Sequence, residues 1–281
     1  MTDATDLLAR YLRQQADLGM ESLVLPEGLR VGRPAVAAGA AGPPRPAARE
    51  RAPAAQRPVK PRSGTGPPDT WQADAPPIPG PGIIVPAADE NLFRDDPLAT
   101  ATLDDVVKLV ASCTRCPLHA TRTNAVPGEG PADARLVVVG EGPGANEDEL
   151  GRPFVGRAGK LLDDILAAIG CPRETVYIAN VVKSRPPNNR KPQGDEIEAC
   201  LPFLYRQLEI IRPRVILAMG ATAAESLLAA RGSLASLRNK VHVFRGIPLI
   251  VTYHPAALLR NPHWKRPTWD DVRIARQLLD R

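Results

Sequence analysis

The side chains best suited to chemistry fall in three loops. The first, Gly140–Leu162, reads GEGPGANEDELGRPFVGRAGKLL and sets Glu141, Gly142, Glu147 and Phe154 among six glycines. Glycine lets a backbone turn tightly and approach a ligand closely, and an aromatic ring in such a loop can stack on a flat base for about 1–3 kcal/mol. The second loop follows Asn180 and reads SRPPNNRKPQG over 184–194, with Asn189 inside it. A side-chain amide offers one acceptor and two donors, so Asn180 can pair with an imide edge and mismatches the reversed pattern of an aminopyrimidine. The third, HPAALLRNP, opens with His254. An imidazole there can hydrogen-bond an anion developing on a leaving group. Behind it come Leu258, Leu259 and Arg260, of the kind that wedges into a duplex when a base is flipped out. Lys183, Arg185, Arg190 and Lys191 bracket the second loop and could hold phosphates.

Each residue also has a plainer reading. Asn180 could cap a strand end, His254 could be a satisfied histidine at a strand terminus, and Phe154 could anchor its own loop. Leu258 and Leu259 could start a short core helix, and the basic residues could be a solvated loop. The glycine loop could be an ordinary connection. It lacks the dinucleotide fingerprint, because Pro143 breaks the spacing, and no Gly-Lys-Ser/Thr follows to make a phosphate loop.

Strands alternating with helices must hold these loops. The apolar runs 136–140, 176–183, 214–219 and 248–253 read as strands, with 242–244 forming a hairpin-like partner to the last. Helices are predicted over 103–112, 157–169, 195–211, 221–230 and 269–279. Such alternation argues for a parallel sheet covered on both faces. The loops after 140, 180 and 253 then meet at one edge, where ligands bind in open α/β sheets. Loops at the other edge, such as GCPRET, look plain.

The 281 residues suffice for one or two domains. About half of the 31 prolines lie between Pro26 and Pro97, so the chain is compositionally split. Residues 1–22 read as a short amphipathic helix, 23–98 as a disordered Pro/Ala/Arg-rich linker, and 99–281 as the folded domain; GIIVP at 82–86 is a local contact point. The net charge of +5 resides in the linker, where residues 30–62 carry eight basic side chains against Glu50. This arm either attracts nucleic acid through its field, contacts a repair or replication protein, or is a solubilising linker. The N-terminus does not read as a signal peptide, and no apolar run approaches the ~20 residues that span a bilayer. A cytoplasmic monomer is the expectation.

Taken together, GEGPGANEDELGRPFVGRAGKLL, NVVKSRPPNNRKP with Cys200 downstream, and HPAALLRNP resemble the motifs of family-four, iron–sulfur uracil-DNA glycosylases over residues 103–280. The resemblance implies a three-layer α/β/α sandwich around a four-stranded parallel sheet, and base-excision repair in which uracil is flipped out of single- or double-stranded DNA and its N-glycosidic bond hydrolysed. By motif position, Glu141 and Gly142 sit in the catalytic loop. Gly142 occupies the place of a water-organising aspartate in the best-known glycosylase family. Glu147 shapes the pocket against a 5-methyl group, Phe154 stacks on uracil, Asn180 reads its edge, Asn189 assists, and His254 stabilises the uracil anion. The alternatives are a non-catalytic DNA-binding or polymerase-associated module on the same fold and, less consistent with the motifs, a nucleotide-binding α/β enzyme.

The resemblance also implies a [4Fe–4S] cluster and no nucleotide cofactor. Cys113, Cys116 and Cys200 match three ligands, and Ser184 stands where the family carries the remaining cysteine. The cluster either keeps Ser184 as an oxygen ligand, retains three thiolates with an open iron, or is lost to local packing, unless the serine is an introduced change. Cys171 precedes the second strand, some 20 Å from position 184 by strand length, and is expected to be a free thiol.

Overall fold

The structure is a computed structural model describing residues 71–87, 97–230 and 232–281, all within one compact unit, Pro61–Arg281. The expected N-terminal helix, most of the expected linker and its DNA-contacting role lie outside the described residues.

The elements run β1 (Pro81–Val85), α1 (Leu103–Ala111), β2 (Leu136–Gly140), α2 (Ala145–Leu150), α3 (Arg157–Ala168), β3 (Tyr177–Asn180), α4 (Gly194–Ile211), β4 (Val215–Met219), α5 (Ala221–Leu228), α6 (Leu234–Leu237), β5 (Val241–Phe244), β6 (Ile247–Thr252), α7 (Pro255–Arg260) and α8 (Lys265–Leu279), with short 3-10 turns between. The sheet order is β1-β5-β6-β4-β2-β3. Four strands, β6, β4, β2 and β3, are parallel neighbours. The four-stranded parallel sheet expected from the resemblance is thus only the centre of a six-stranded mixed sheet. β5 turns back antiparallel on β6, and β1 adds a parallel edge to β5.

β2 and β4 are buried along their whole length, as continuous apolar runs in a two-sided parallel sheet should be. Their alternation divides the core. Val137, Val139, Ile216 and Ala218 face α1, α4 and α5, while Leu136, Val138, Leu217 and Met219 face α3 and α8. The expected three layers are therefore present.

β1 corrects the expected boundary of the folded domain. It lies inside the span read as linker, and its partner is a buried histidine far away in sequence: His242 Nδ1 accepts from Ile83 N–H at 2.9 Å, while Nε2 donates to Leu237 O at 2.7 Å. Gly82 passes directly over that ring; a Cβ there would come within 2.5 Å of it. Trp71 is also buried beneath the Arg276 guanidinium, and α8 holds the incoming chain through Arg273 to Ala73 O and Gln277 to Pro76 O.

Candidate active site

β2 and β3 end in register, with Gly140 opposite Asn180. The loops after β2, β3 and β6 converge there on a cleft of about 710 Å³ whose lining includes Glu141, Gly142, Glu147, Phe154, Asn180, Asn189, His254 and Arg260. Glycine is required at 140, since a Cβ would come within 2.4 Å of Asn180 Oδ1 and 2.6 Å of Phe154 Cζ. At Gly142 it would meet Val182 Cγ2 at 2.7 Å.

The long loop predicted after β2 contains a short helix, α2, and Glu147 at its third position organises the loop. One carboxylate oxygen accepts from Gly144 N–H at 3.1 Å; the other accepts from Val155 N–H at 3.0 Å and Gly156 N–H at 3.1 Å. These bonds tie the helix start to the residues after Phe154. Phe154 itself takes a left-handed backbone, φ 50°, unusual for a bulky residue. Arg173, from the GCPRET loop that reads as plain in sequence, holds it there: its guanidinium donates to Pro153 O at 2.6 Å, Phe154 O at 3.0 Å and Asp163 at 2.9 Å. Gly159 admits the same carbonyl, because a Cβ would sit 1.8 Å from Phe154 O.

Asn180 is 2% exposed, and its Oδ1 is buried with no hydrogen-bond partner. A buried amide oxygen left unpaired is costly. Glu141 carboxylate accepts from the hydroxyl of buried Thr222 in α5. Asn189, exposed and also left-handed at φ 54°, accepts from Arg185 Nε at 2.8 Å.

His254 caps α7. Its Nδ1 accepts from Ala256 N–H at 3.2 Å, which places the proton of the neutral ring on Nε2. Its ring stacks against Phe154 at 5.2 Å. Burial, aided by the Arg260 charge and opposed by Glu147, pushes the imidazole down to about 4. His254 is therefore a neutral donor at physiological pH. Behind it, buried Asp271 accepts from Arg238 and from Thr252 at the end of β6. Arg238 lies over Tyr253, which stacks on half-exposed Trp264 at 4.6 Å. Tyr253 and Trp264 line the cleft and were missed in sequence; aromatic scarcity beside the HPAALLRNP motif was the available signal.

The expected DNA-contacting set divides. Leu259 is 40% exposed, and exposed Arg260 lines the cleft. Leu258, 1% exposed, is part of the core and cannot wedge into DNA from that position. Arg190 forms a bidentate pair with Glu196, and Arg185 is committed to Asn189. Lys183 is not a phosphate ligand: it is 2% exposed, with Nζ donating to Asn180 O at 2.9 Å and Gln207 Oε1 at 2.7 Å. The strand expected to run to Lys183 ends at Asn180, and sequence alternation cannot reveal that a lysine three residues beyond it turns inward.

The proposed cluster ligands come from three segments. Cys113, Cys116 and Cys200 lie close enough to act on one another electrostatically, and burial raises the Cys116 thiol and pushes Cys200 up to about 11. Cys200 Sγ accepts from Lys183 N–H at 3.2 Å, beside buried Ser184. The Ser184 hydroxyl accepts from Arg122 at 2.9 Å, and the same guanidinium donates to Ala111 O at 2.7 Å. In type and number the three thiols suit a cubane cluster. The fourth donor does not: a neutral hydroxyl already engaged by a guanidinium is a poor substitute for thiolate. Among the described residues no group of three or more His, Cys, Asp or Glu is placed to hold a metal ion. Cys171 is a buried free thiol against Ile169 O and Arg276, apart from these residues.

The sheet-edge cleft thus brings together an unpaired amide oxygen and a neutral imidazole, and sequence comparison gives the class. The profile of the "Uracil DNA glycosylase superfamily" matches residues 127–275, just over half of the chain. The chain belongs to that superfamily. Within it, the chain is 48% identical over 181 residues to a type-4 uracil-DNA glycosylase of Thermotoga maritima, covering 63% of this chain and 94% of the relative. It is 48% identical over 168 residues to one of Pyrobaculum aerophilum (57% and 86%), and 45% identical over 180 residues to one of Archaeoglobus fulgidus (61% and 90%).

Proposed function

We infer that this chain is a uracil-DNA glycosylase of base-excision repair that admits a flipped uracil to the cleft and hydrolyses its N-glycosidic bond. The observation that carries this is Asn180 Oδ1, buried and unpartnered at the cleft. Uracil N3–H is the donor it lacks, while the amide N–H of Asn180 donates to O4; cytosine presents the reverse pattern. Phe154 stacks on the base. Glu147 acts by holding the loop that carries Phe154, and thereby narrows the pocket where a 5-methyl group would sit.

In the reaction the C1′–N1 bond breaks heterolytically and its electron pair leaves on uracil N1. Water adds to C1′, and the proton it loses passes to solvent or to the departed base. Charge develops as a cation at the sugar and an anion on the base. Glu141 is placed at the cleft to favour the first, and the Nε2–H of His254 donates to the second; such fixed donors need no reorganisation as the bond breaks. Asn189, Arg185, Leu259 and Arg260 border the DNA entry. Because unpairing costs least at a mismatch, uracil opposite guanine should be released at least as readily as uracil opposite adenine.

Alkali treatment of uracil-containing oligonucleotides after incubation with the protein tests this directly. Strand cleavage at uracil, collapsing in Asn180→Leu and slowed about 10²–10³-fold in His254→Ala, is the expected result; an inert wild-type protein would sink the proposal.

A further inference from the structure

Behind the base-reading amide lies a charge that the chemistry above leaves unused. Lys183 is one of the largest fully buried side chains in the domain. Its Nζ donates to two neutral oxygens, the main-chain carbonyl of Asn180 at 2.9 Å and Gln207 Oε1 at 2.7 Å. The orientation of Gln207 is fixed independently: its Nε2 donates to Pro127 O at 2.7 Å, a group that can only accept, and contacts Tyr177 Oη at 2.9 Å. Oε1 must therefore face the lysine, so Nζ is surrounded as a donor. No carboxylate among the described residues pairs with it.

A buried ammonium with no carboxylate partner, whose charge is favoured only by the nearby Cys200 sulfur, is expensive to keep. A methionine would fill the same volume, though it would leave Asn180 O and Gln207 Oε1 without their donor. A position bonded to the backbone of the residue that grips the base is where such a charge would help a reaction whose leaving group becomes an anion. Fields from buried charges act over several ångströms when little water screens them, and a preset charge favours the transition state over the neutral ground state.

We propose that Lys183 is a positioning and electrostatic residue of the glycosylase reaction: from behind Asn180 its ammonium sets the amide that grips uracil and stabilises the negative charge that grows on the departing base. This deepens the function proposed above and rests on it. Lys183 touches neither substrate nor water; its charge is felt through and beyond Asn180.

Leaving-group dependence separates this role from a purely structural one. Single-turnover rates would be measured on matched oligonucleotides carrying uracil or 5-fluorouracil, whose anion is intrinsically more stable. For Lys183→Met, the rate on uracil should fall on the order of 10- to 100-fold, and the fall on 5-fluorouracil should be clearly smaller. Lys183→Gln, which retains a donor but no charge, should show the same pattern. Equal losses on both bases would reduce Lys183 to a scaffold residue, and wild-type rates on uracil would remove it from the reaction. Circular dichroism reports folding of each variant. If the Lys183 variants do not fold, Gln207→Glu sets a carboxylate against the ammonium without deleting it, and should again slow uracil more than 5-fluorouracil; an unchanged ratio overturns the proposal. A wild-type protein that releases neither base would instead overturn the glycosylase reading itself.

Discussion

His254 is a neutral imidazole at physiological pH. Its Nδ1 is occupied by Ala256 N–H at 3.2 Å, so the ring offers Nε2–H to the cleft. Burial and the Arg260 charge lower it from the ordinary 6.5 to about 4. At pH 7 roughly one ring in a thousand is then protonated. The acid limb of activity due to this residue should lie near pH 4, with no contribution between pH 5 and 8. Replacing His254 by Ala removes one donor to the developing anion and should cost about 10²–10³-fold in rate, whereas Gln, which can still donate, should recover part of that loss. The same depression links to stability. The unfolded chain takes up a proton below about 6.5, but the folded ring does not until about 4. The contribution is therefore complete above 6.5 and is lost as pH falls from 6.5 to 4. The gap corresponds to at most about 3 kcal/mol, and less because the ring is partly solvated. Thermal unfolding at pH 4.5 and 7.5 should show a smaller pH effect for His254→Gln than for the wild type. Heteronuclear NMR of the imidazole nitrogens reads the tautomer and titration directly. A ring that titrates near 6.5, or carries its proton on Nδ1, refutes the reasoning.

Other perturbations have equally definite outcomes. Glu147→Gln replaces the carboxylate that accepts from three main-chain N–H groups; charged hydrogen bonds of this kind justify a loss of about 2–4 kcal/mol, seen as a melting temperature lower by roughly 5–15 °C together with a raised KM. Asn180→Leu removes an amide oxygen that has no partner in the protein, so uracil release should collapse in the alkali-cleavage assay while the melting temperature barely falls. Ser184→Cys completes a set of four thiols and should increase bound iron, labile sulfide and absorbance near 400 nm in anaerobically purified protein; no gain over the wild type would show that Arg122 or the local packing, rather than the missing thiol, decides the site. Truncation before residue 71 should preserve the fold, whereas removal of residues 1–98 strips β1 from β5 and uncovers the α8 surface under Trp71, lowering the melting temperature even if the chemistry survives.

What sequence could and could not disclose follows from where each constraint resides. β2 was legible to the residue because an uninterrupted apolar run, Leu136–Val139, must be buried on both faces. The convergence of three loops followed from parallel topology alone. β1 was not legible: five residues that include Pro81 and Gly82 carry no convincing strand pattern, and what holds them is the ring of His242, 159 positions from its partner Ile83. α2 was hidden for a related reason. ANEDEL has no apolar periodicity, and the helix exists because Glu147 caps its own start and Gly151 ends it in a left-handed turn. Motif reading located Phe154, Asn180 and His254 but not what aims them. The Phe154 backbone is held by Arg173, the His254 ring by Ala256 N–H and the Phe154 ring, and the Asn180 backbone carbonyl by the ammonium of Lys183. The cleft residue is announced by its motif, whereas the charges beside Phe154 and Asn180 come from elsewhere in the chain or point inward. That division explains why Lys183 and Leu258 were misplaced on the DNA surface. A motif records that a residue type is needed at a position, whereas inward or outward orientation is decided by the partner across the core, here Gln207 for one and the packed interior for the other.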